Sequence, residues 1–269
     1  MQTKKVYLPI FILALFSFQI IQCQQVDTSS FKFYSRLSFY SYEKRGEFLL
    51  HVPEKFTQTP FTVSITVGER IIGSWNGKPV KNILRIPFAI DLSPSVYRAA
   101  ASITIPTIPG ITYTATAELS ILCHKANEVK TDRLTGGMIV NNRQFFPFGF
   151  YCYSPVSPTL PEEEIVKGFN MISPYQKIIP ETIGERKAYM DRCAELGMKV
   201  HYNLISISGG GGVGSSVGSL SDEERRLRLI EEVKTFMNHP ALLAWYISDE
   251  PNGFKIPPES LEDIYHIVK

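Results

Sequence analysis

Cysteine is scarce in this chain, and its spacing matches no cysteine chemistry. Four cysteines occur in 269 residues, and no Cys-x-x-Cys brings two together, which removes zinc-knuckle and dithiol redox readings. No histidine has another two residues away. A barrel metallohydrolase of the His-x-His type would lack its ligands, and no metal or cofactor is expected. Lysine and arginine form no patch suited to phosphates, with 28 basic residues set against 26 acidic ones. Nucleic acid, which is held through many phosphate contacts, is not an expected partner. There is also no Asn-x-Ser/Thr acceptor for N-linked sugar.

A long apolar run occurs at the start, where "VYLPIFILALFSFQII" follows Lys4 and Lys5 and ends near Cys23. A basic start and a short apolar run predict a secretory signal peptide over residues 1–23. Gln19 and the run's brevity argue against a full span, so no stable membrane insertion is expected, and the expected location is extracellular. Cleavage removes two lysines and leaves a chain of balanced charge with Cys123, Cys152 and Cys193. An odd number leaves at least one thiol free or paired between molecules. Cys193 lies one helical turn after Tyr189 and reads as core.

The remaining chain is written in two periods. From residue 30 to 125 the runs are short, β-branched and aromatic, and punctuated by turn residues, as in "EFLLHV", "FTVSITV" and "NILRIPFAI". In "TYTATAELSI", Tyr113, Ala115, Ala117 and Leu119 share one face, and Thr112, Thr114, Thr116 and Glu118 the other. Six or seven such strands, with an Asn76-Gly77 turn among the breaks, predict an antiparallel β-sandwich. Residues 126–137 show no pattern, end in Gly136-Gly137, and are expected to be a linker.

From residue 138 to 269 strands alternate with helices. "QFFPFGFYC", "NMISPY", "KVHYNLISI" and "ALLAWYISDE" are strand-like and mostly apolar. Helices follow each, with candidate capping boxes at Thr159-Glu162, Thr182-Glu185 and Ser221-Glu224 and stops at Gly168 and Gly197. Four βα units predict a parallel sheet covered by helices.

In such folds chemistry gathers at the carboxyl ends of the strands. "HPALLAWYISDEPNG" delivers Asp249-Glu250 to one of those ends. The other acidic pairs, Glu162-Glu163, Asp222-Glu223, Glu231-Glu232 and Glu262-Asp263, fall in helices and are expected to face solvent. The pleat predicts Tyr246, Ser248 and Glu250 on one side and Trp245, Ile247 and Asp249 on the other. Partial desolvation beside Tyr and Trp would suit a carboxyl there to donate a proton.

These segments resemble the clan of (β/α)8-barrel glycoside hydrolases that contains the β-galactosidases and β-glucuronidases. "GGMIVNNRQFFPFGFYC" resembles the opening of the barrel in that clan, "AELGMKVHYNL" its passage into the third strand, and "HPALLAWYISDEP" its fourth strand. The resemblance implies a sandwich domain followed by the first half of a (β/α)8 barrel, acting by retaining hydrolysis of O-glycosidic bonds in a carbohydrate substrate. Glu250 would be the acid/base. Asp249 stands where the clan has Asn and would contact a sugar hydroxyl as an acceptor. The clan's nucleophile comes from the seventh strand, and this chain reaches only the fourth helix. About half of the ~250 residues of a barrel are present. The missing half is expected from a longer chain or from another copy.

Tyr151, Tyr153 and Tyr175 fall at strand ends, where their faces suit sugar rings or packing at the barrel top. His201 or Asn203 is expected to line the barrel. "SGGGGVGSSVGS" sits where a phosphate loop would, but no Lys-Ser/Thr closes it, and a loop over the barrel mouth is expected. A second class of function fits the same sequence: a non-catalytic secreted module that binds carbohydrate or protein through its sandwich.

Overall fold

A computed structural model describes residues 25–27, 31–210 and 220–269. The expected signal peptide, residues 1–23, lies outside the described residues, as does most of the glycine-rich loop, 211–219. Eight strands build the first unit. They are β1 (Gln25–Asp27), β2 (Lys32–Ser35), β3 (Arg45–His51), β4 (Phe61–Val67), β5 (Arg70–Gly77), β6 (Ile83–Ala89), β7 (Ser95–Thr104) and β8 (Ile111–Ile121). They form two sheets, β2-β3-β6 and β1-β8-β7-β4-β5, antiparallel except that β1 runs parallel to β8. The alternation in β8 falls as expected, with Tyr113 and Leu119 buried and Thr116 and Glu118 exposed. Phe48, Ile65, Ile86 and Ile103 fill the space between the sheets with no exposed surface. Each such side chain contributes roughly 1.5–3 kcal/mol.

Asn76-Gly77 is not the turn. Both residues pair within β5, opposite Thr62 and Phe61. The hairpin between β4 and β5 turns at Gly68 instead, whose φ of +57° suits a residue without a Cβ.

The expected linker, 126–137, is also structured. It contains β9 (Val129–Asp132) and enters β10 (Gly137–Val140), and with β11 (Arg143–Phe145) these form a three-stranded antiparallel sheet. Its fixed points are charges rather than apolar side chains. Lys130, 1% exposed, reaches Glu43 at 2.5 Å and Glu128 at 3.2 Å. Asp132 takes Arg36 at 3.0 and 2.8 Å. On the other side Asn127 donates to the carbonyl of Met237 at 2.9 Å.

The second unit is a four-stranded parallel sheet in chain order, made of β12 (Gly149–Tyr153), β13 (Met171–Tyr175), β14 (Lys199–Asn203) and β15 (Leu242–Tyr246). The helices between and after them are α1 (Leu160–Ile165), α2 (Ile183–Leu196), α3 (Ile205–Ser208), α4 (Asp222–Phe236) and α5 (Pro258–Val268). "QFFPFGFYC" is thus two strands. Pro147 separates them, and the second lies at a sheet edge, with Tyr151 and Tyr153 exposed rather than buried.

Ile172, Val200 and Tyr202 pack with Met190, Cys193, Val233 and Phe236 of the helices, so the apolar cover lies on one face. The opposite face carries Tyr151, Ser173, His201 and Ala244 in register. Gly197 ends α2 in the left-handed region, and the Ser221-Glu224 box caps α4. The boxes expected at Thr159 and Thr182 are not made. Thr182 donates instead to the Lys177 and Ile179 carbonyls. Among the described residues no helix is long and apolar enough to cross a membrane.

One acidic residue expected at the surface is buried. Glu232 of α4 is 5% exposed and takes Arg186, 2% exposed, through two bonds of 2.6 and 2.9 Å. Tyr202 donates to the same carboxylate.

Candidate active site at the strand ends

The four parallel strands bring Tyr151, Tyr175, His201, Tyr246 and Asp249 together on the uncovered face at their carboxyl ends. Strand β15 stops at Tyr246, and the pleat stops with it. The chain then turns, so Asp249 comes to the side of Tyr246 rather than the opposite side. Tyr246 donates to Asp249 Oδ1 at 2.6 Å, and Tyr175 donates to Oδ2 at 3.2 Å. The ring of Tyr151 lies 5.3 Å from that of Tyr175 and 6.1 Å from that of Tyr246. The His201 ring is 4.7 Å from that of Tyr246, and its Nδ1 is 3.2 Å from the Ser173 hydroxyl.

Burial pushes the His201 imidazole below its usual value, so the ring is neutral near pH 7. Burial, then the Asp249 carboxylate and Tyr151, pushes the Tyr246 hydroxyl above the ordinary phenol range. Tyr246 therefore serves as a hydrogen-bond donor and not as a base. Tyr175 is shifted the same way by burial and by Asp249.

Glu250 is exposed, not partly desolvated, and its φ is +46°. A side chain in that region costs about 1–2 kcal/mol, a penalty often found where function demands a geometry. The turn is held by its carbonyl, which accepts from the backbone N–H of Gly253 at 2.8 Å and of Phe254 at 3.2 Å. Among the described residues, the four strand ends deliver no carboxylate besides Asp249 and Glu250.

Asn203 ends β14 on the face that carries His201, and lines a cavity with Tyr153 and Tyr175. It is 1% exposed, and its Oδ1 accepts from the Ile205 N–H at 2.9 Å. Of the residues expected from sequence, Tyr151, Tyr175, His201 and Asp249 are brought together, Glu250 follows Asp249 directly, and Asn203 and Tyr153 share a cavity with Tyr175. Tyr246 is expected on the side of Glu250 but bonds Asp249, and Ser173 carries no expectation from sequence. The period-two alternation that lists Tyr151 on the inner face would have found Ser173.

The glycine-rich loop begins against this site. Ser208 donates to the Ile247 carbonyl at 2.6 Å, and Ser248 donates to that of Gly210. A Cβ at Gly210 would lie 2.2 Å from the Ile247 oxygen, so only glycine fits there. A Gly-x-Ser-x-Gly spacing, Gly214 to Gly218, falls in the same loop and lies outside the described residues. No group of three or more metal-ligating side chains occurs among the described residues.

No protein-family model and no curated protein matches the sequence. Solved structures resemble the chain weakly, and glycoside hydrolases are among them. A candidate glycoside hydrolase from Bacteroides vulgatus aligns with TM-score 0.39 and 13% identity over 84% of this chain and 52% of its own. A β-glucuronidase from an uncultured Clostridium gives 0.35 and 15% over 88% and 40%. A Bacteroides ovatus xyloglucanase gives 0.28 and 11% over 88% and 59%. The chain spans between two fifths and three fifths of the length of these structures.

Proposed function

We propose that this chain is the amino-terminal part of a secreted glycoside hydrolase, a sandwich followed by the first half of a (β/α)8 barrel. The observation that carries this reading is the convergence of the Tyr175 and Tyr246 hydroxyls on Asp249, with Tyr151 and a neutral His201 packed against them, next to Glu250 in a strained turn at the end of a parallel strand. Aromatic faces and fixed hydroxyl donors suit a sugar ring, and a carboxyl group beside them suits proton transfer. Glu250 protonates the glycosidic oxygen and later deprotonates water. The nucleophile, about 5 Å away in a retaining enzyme, comes from the remainder of the barrel. Asp249, with each carboxylate oxygen holding one tyrosine, keeps lone pairs free to accept from a sugar hydroxyl.

The test is Glu250→Gln in the protein carrying the complete barrel, assayed on aryl glycosides of good and poor leaving groups. Loss should be steep for poor leaving groups and small for activated ones. Undiminished turnover of the poor ones would show that Glu250 is not the acid.

One observation favours a second reading, a module that binds carbohydrate without cleaving it. Asp249 is engaged by two tyrosines, while Glu250 stands exposed with no carboxylate partner among the described residues. Sugar binding by the complete barrel without turnover of any glycoside would select it.

A further inference from the structure

A cavity of about 500 Å3 opens beside the acidic pair, between the segments that follow β12, β13 and β14. That is within the ~300–1,000 Å3 range of ligand pockets. Its near wall is Tyr175, the residue that donates to Asp249, so the cavity begins where the proposed reaction centre ends. Tyr153 stacks on Tyr175 with ring centres 6.0 Å apart and planes inclined by 30°, and is itself 80% exposed. An aromatic face is thus free for the C–H side of a sugar ring.

Two buried donors line the same cavity and are not spent. Asn203 Nδ2 has no partner among the described residues. Ser206, 2% exposed, accepts from the Ile178 N–H at 3.2 Å, and its own proton has no acceptor among the described residues. A buried donor left unpaired costs roughly 1–3 kcal/mol, a cost that an acceptor oxygen reaching either group would remove. Lys177 and Glu185 stand exposed on its lining and place one charge of each sign there. That pairing suits a neutral polyhydroxylated ligand better than an anionic one. A second hollow of about 460 Å3 shares Pro155 and Glu185 with the first and continues away from the acidic pair.

We infer that this cavity seats a neutral sugar unit adjacent to the one at Glu250, so the substrate is an oligosaccharide or polysaccharide chain rather than a single sugar on an aglycone. The inference rests on the carbohydrate reading of the strand ends but not on catalysis. Its test is binding, measured by calorimetry on the full chain with methyl glucoside, methyl galactoside and methyl xyloside and the matching β-linked oligosaccharides of two to five units. At least one series should bind tenfold or more tightly as an oligomer than as the methyl glycoside. Tyr153→Ala should abolish that gain while leaving methyl glycoside affinity unchanged. Tyr153 is largely solvent-exposed, so the variant should fold; Ser206→Ala gives a second check. Equal affinity at every length, no binding by any series, or a gain that survives both substitutions would overturn the inference. Tight length-dependent binding without hydrolysis by the complete barrel would sink the catalytic reading and leave this one standing.

Discussion

The ion pair behind the sheet ties α2 and α4 to β14, and its removal should be costly in a defined way. Arg186 and Glu232 are both almost fully buried and meet through two parallel bonds. The guanidinium also holds the Ile179 carbonyl at 3.1 Å and the Thr182 hydroxyl. Arg186→Met therefore leaves the buried Glu232 carboxyl without its partner, with only Tyr202 to hydrogen-bond it. Breaking a buried pair from one side costs about 3–5 kcal/mol. For a unit of this size each kcal/mol lowers Tm by roughly 3–4 °C, a fall of about 10–20 °C in the α/β transition. Scanning calorimetry at pH 7 reads it directly. Removing all three polar groups together, as Arg186→Met with Glu232→Leu and Tyr202→Phe, leaves no orphaned charge and should recover most of the loss. A single-variant Tm within about 3 °C of the parent would refute this reasoning. So would a triple variant as unstable as the single one, because the penalty would then be lost packing.

Three further outcomes follow from local geometry. Glu250→Gly relieves a left-handed side chain and should raise stability by about 1 kcal/mol while abolishing activity in the complete barrel; thermal melts alongside glycosidase assays check it, and a loss of stability would show that the turn is not strained. Tyr246→Phe removes the 2.6 Å donor to Asp249, and a hydrogen bond to a charged group is worth roughly 1.5–3 kcal/mol. Sugar binding or turnover should fall about tenfold or more, read by titration or kinetics. Gly149→Ala would place a Cβ 2.0 Å from the Met171 carbonyl oxygen. Forcing β12 from β13 should cost about 1–3 kcal/mol, measured by urea unfolding.

Where apolar residues repeat at a fixed interval, the fold was legible. The inward face of β8, the alternation of strands with helices and the glycine stop of α2 all carry that signal, and the Ser221-Glu224 box adds a local one. What escaped was held by charges far apart in the chain. Lys130 finds Glu43 87 residues away, and Asp132 finds Arg36 at 96. Strands of three or four residues pinned in this way leave no periodicity to read, so residues 126–137 look like a linker. Glu232 escaped for a related reason, since an acidic pair in a polar helix reads as solvated until Arg186 is brought to it from another helix. At the site, the acidic pair, Tyr151, Tyr175 and His201 were legible from their places at strand ends, but not which side of the strand Asp249 takes. Once β15 ends at Tyr246, strand parity no longer decides it.

The two units should part company in acid, because different groups carry their pH dependence. In the sandwich seam, burial raises Glu43 and Glu128, but bonds from Lys130 and from backbone N–H groups outweigh it and hold both carboxyls below 4.5. Arg36 does the same for Asp132, below 3.8. A depressed carboxyl contributes stability above its unfolded pKa and loses it as pH falls through the folded one, so the seam weakens only below about pH 4.5. His201 has the opposite chemistry, with burial holding its folded pKa below 6.5. The unfolded chain then takes up a proton that the folded one refuses, and the parallel sheet loses stability as pH falls below about 6.5. On titration from pH 7.5 to 3, the α/β transition should soften first, as pH falls below about 6.5, while the sandwich transition holds until the carboxylates protonate. Two-transition calorimetry across that range separates them, and His201→Gln should flatten the upper limb alone. If the α/β transition is unchanged between pH 7 and 5, or if both transitions fall together below 4.5, His201 is not the group that refuses the proton.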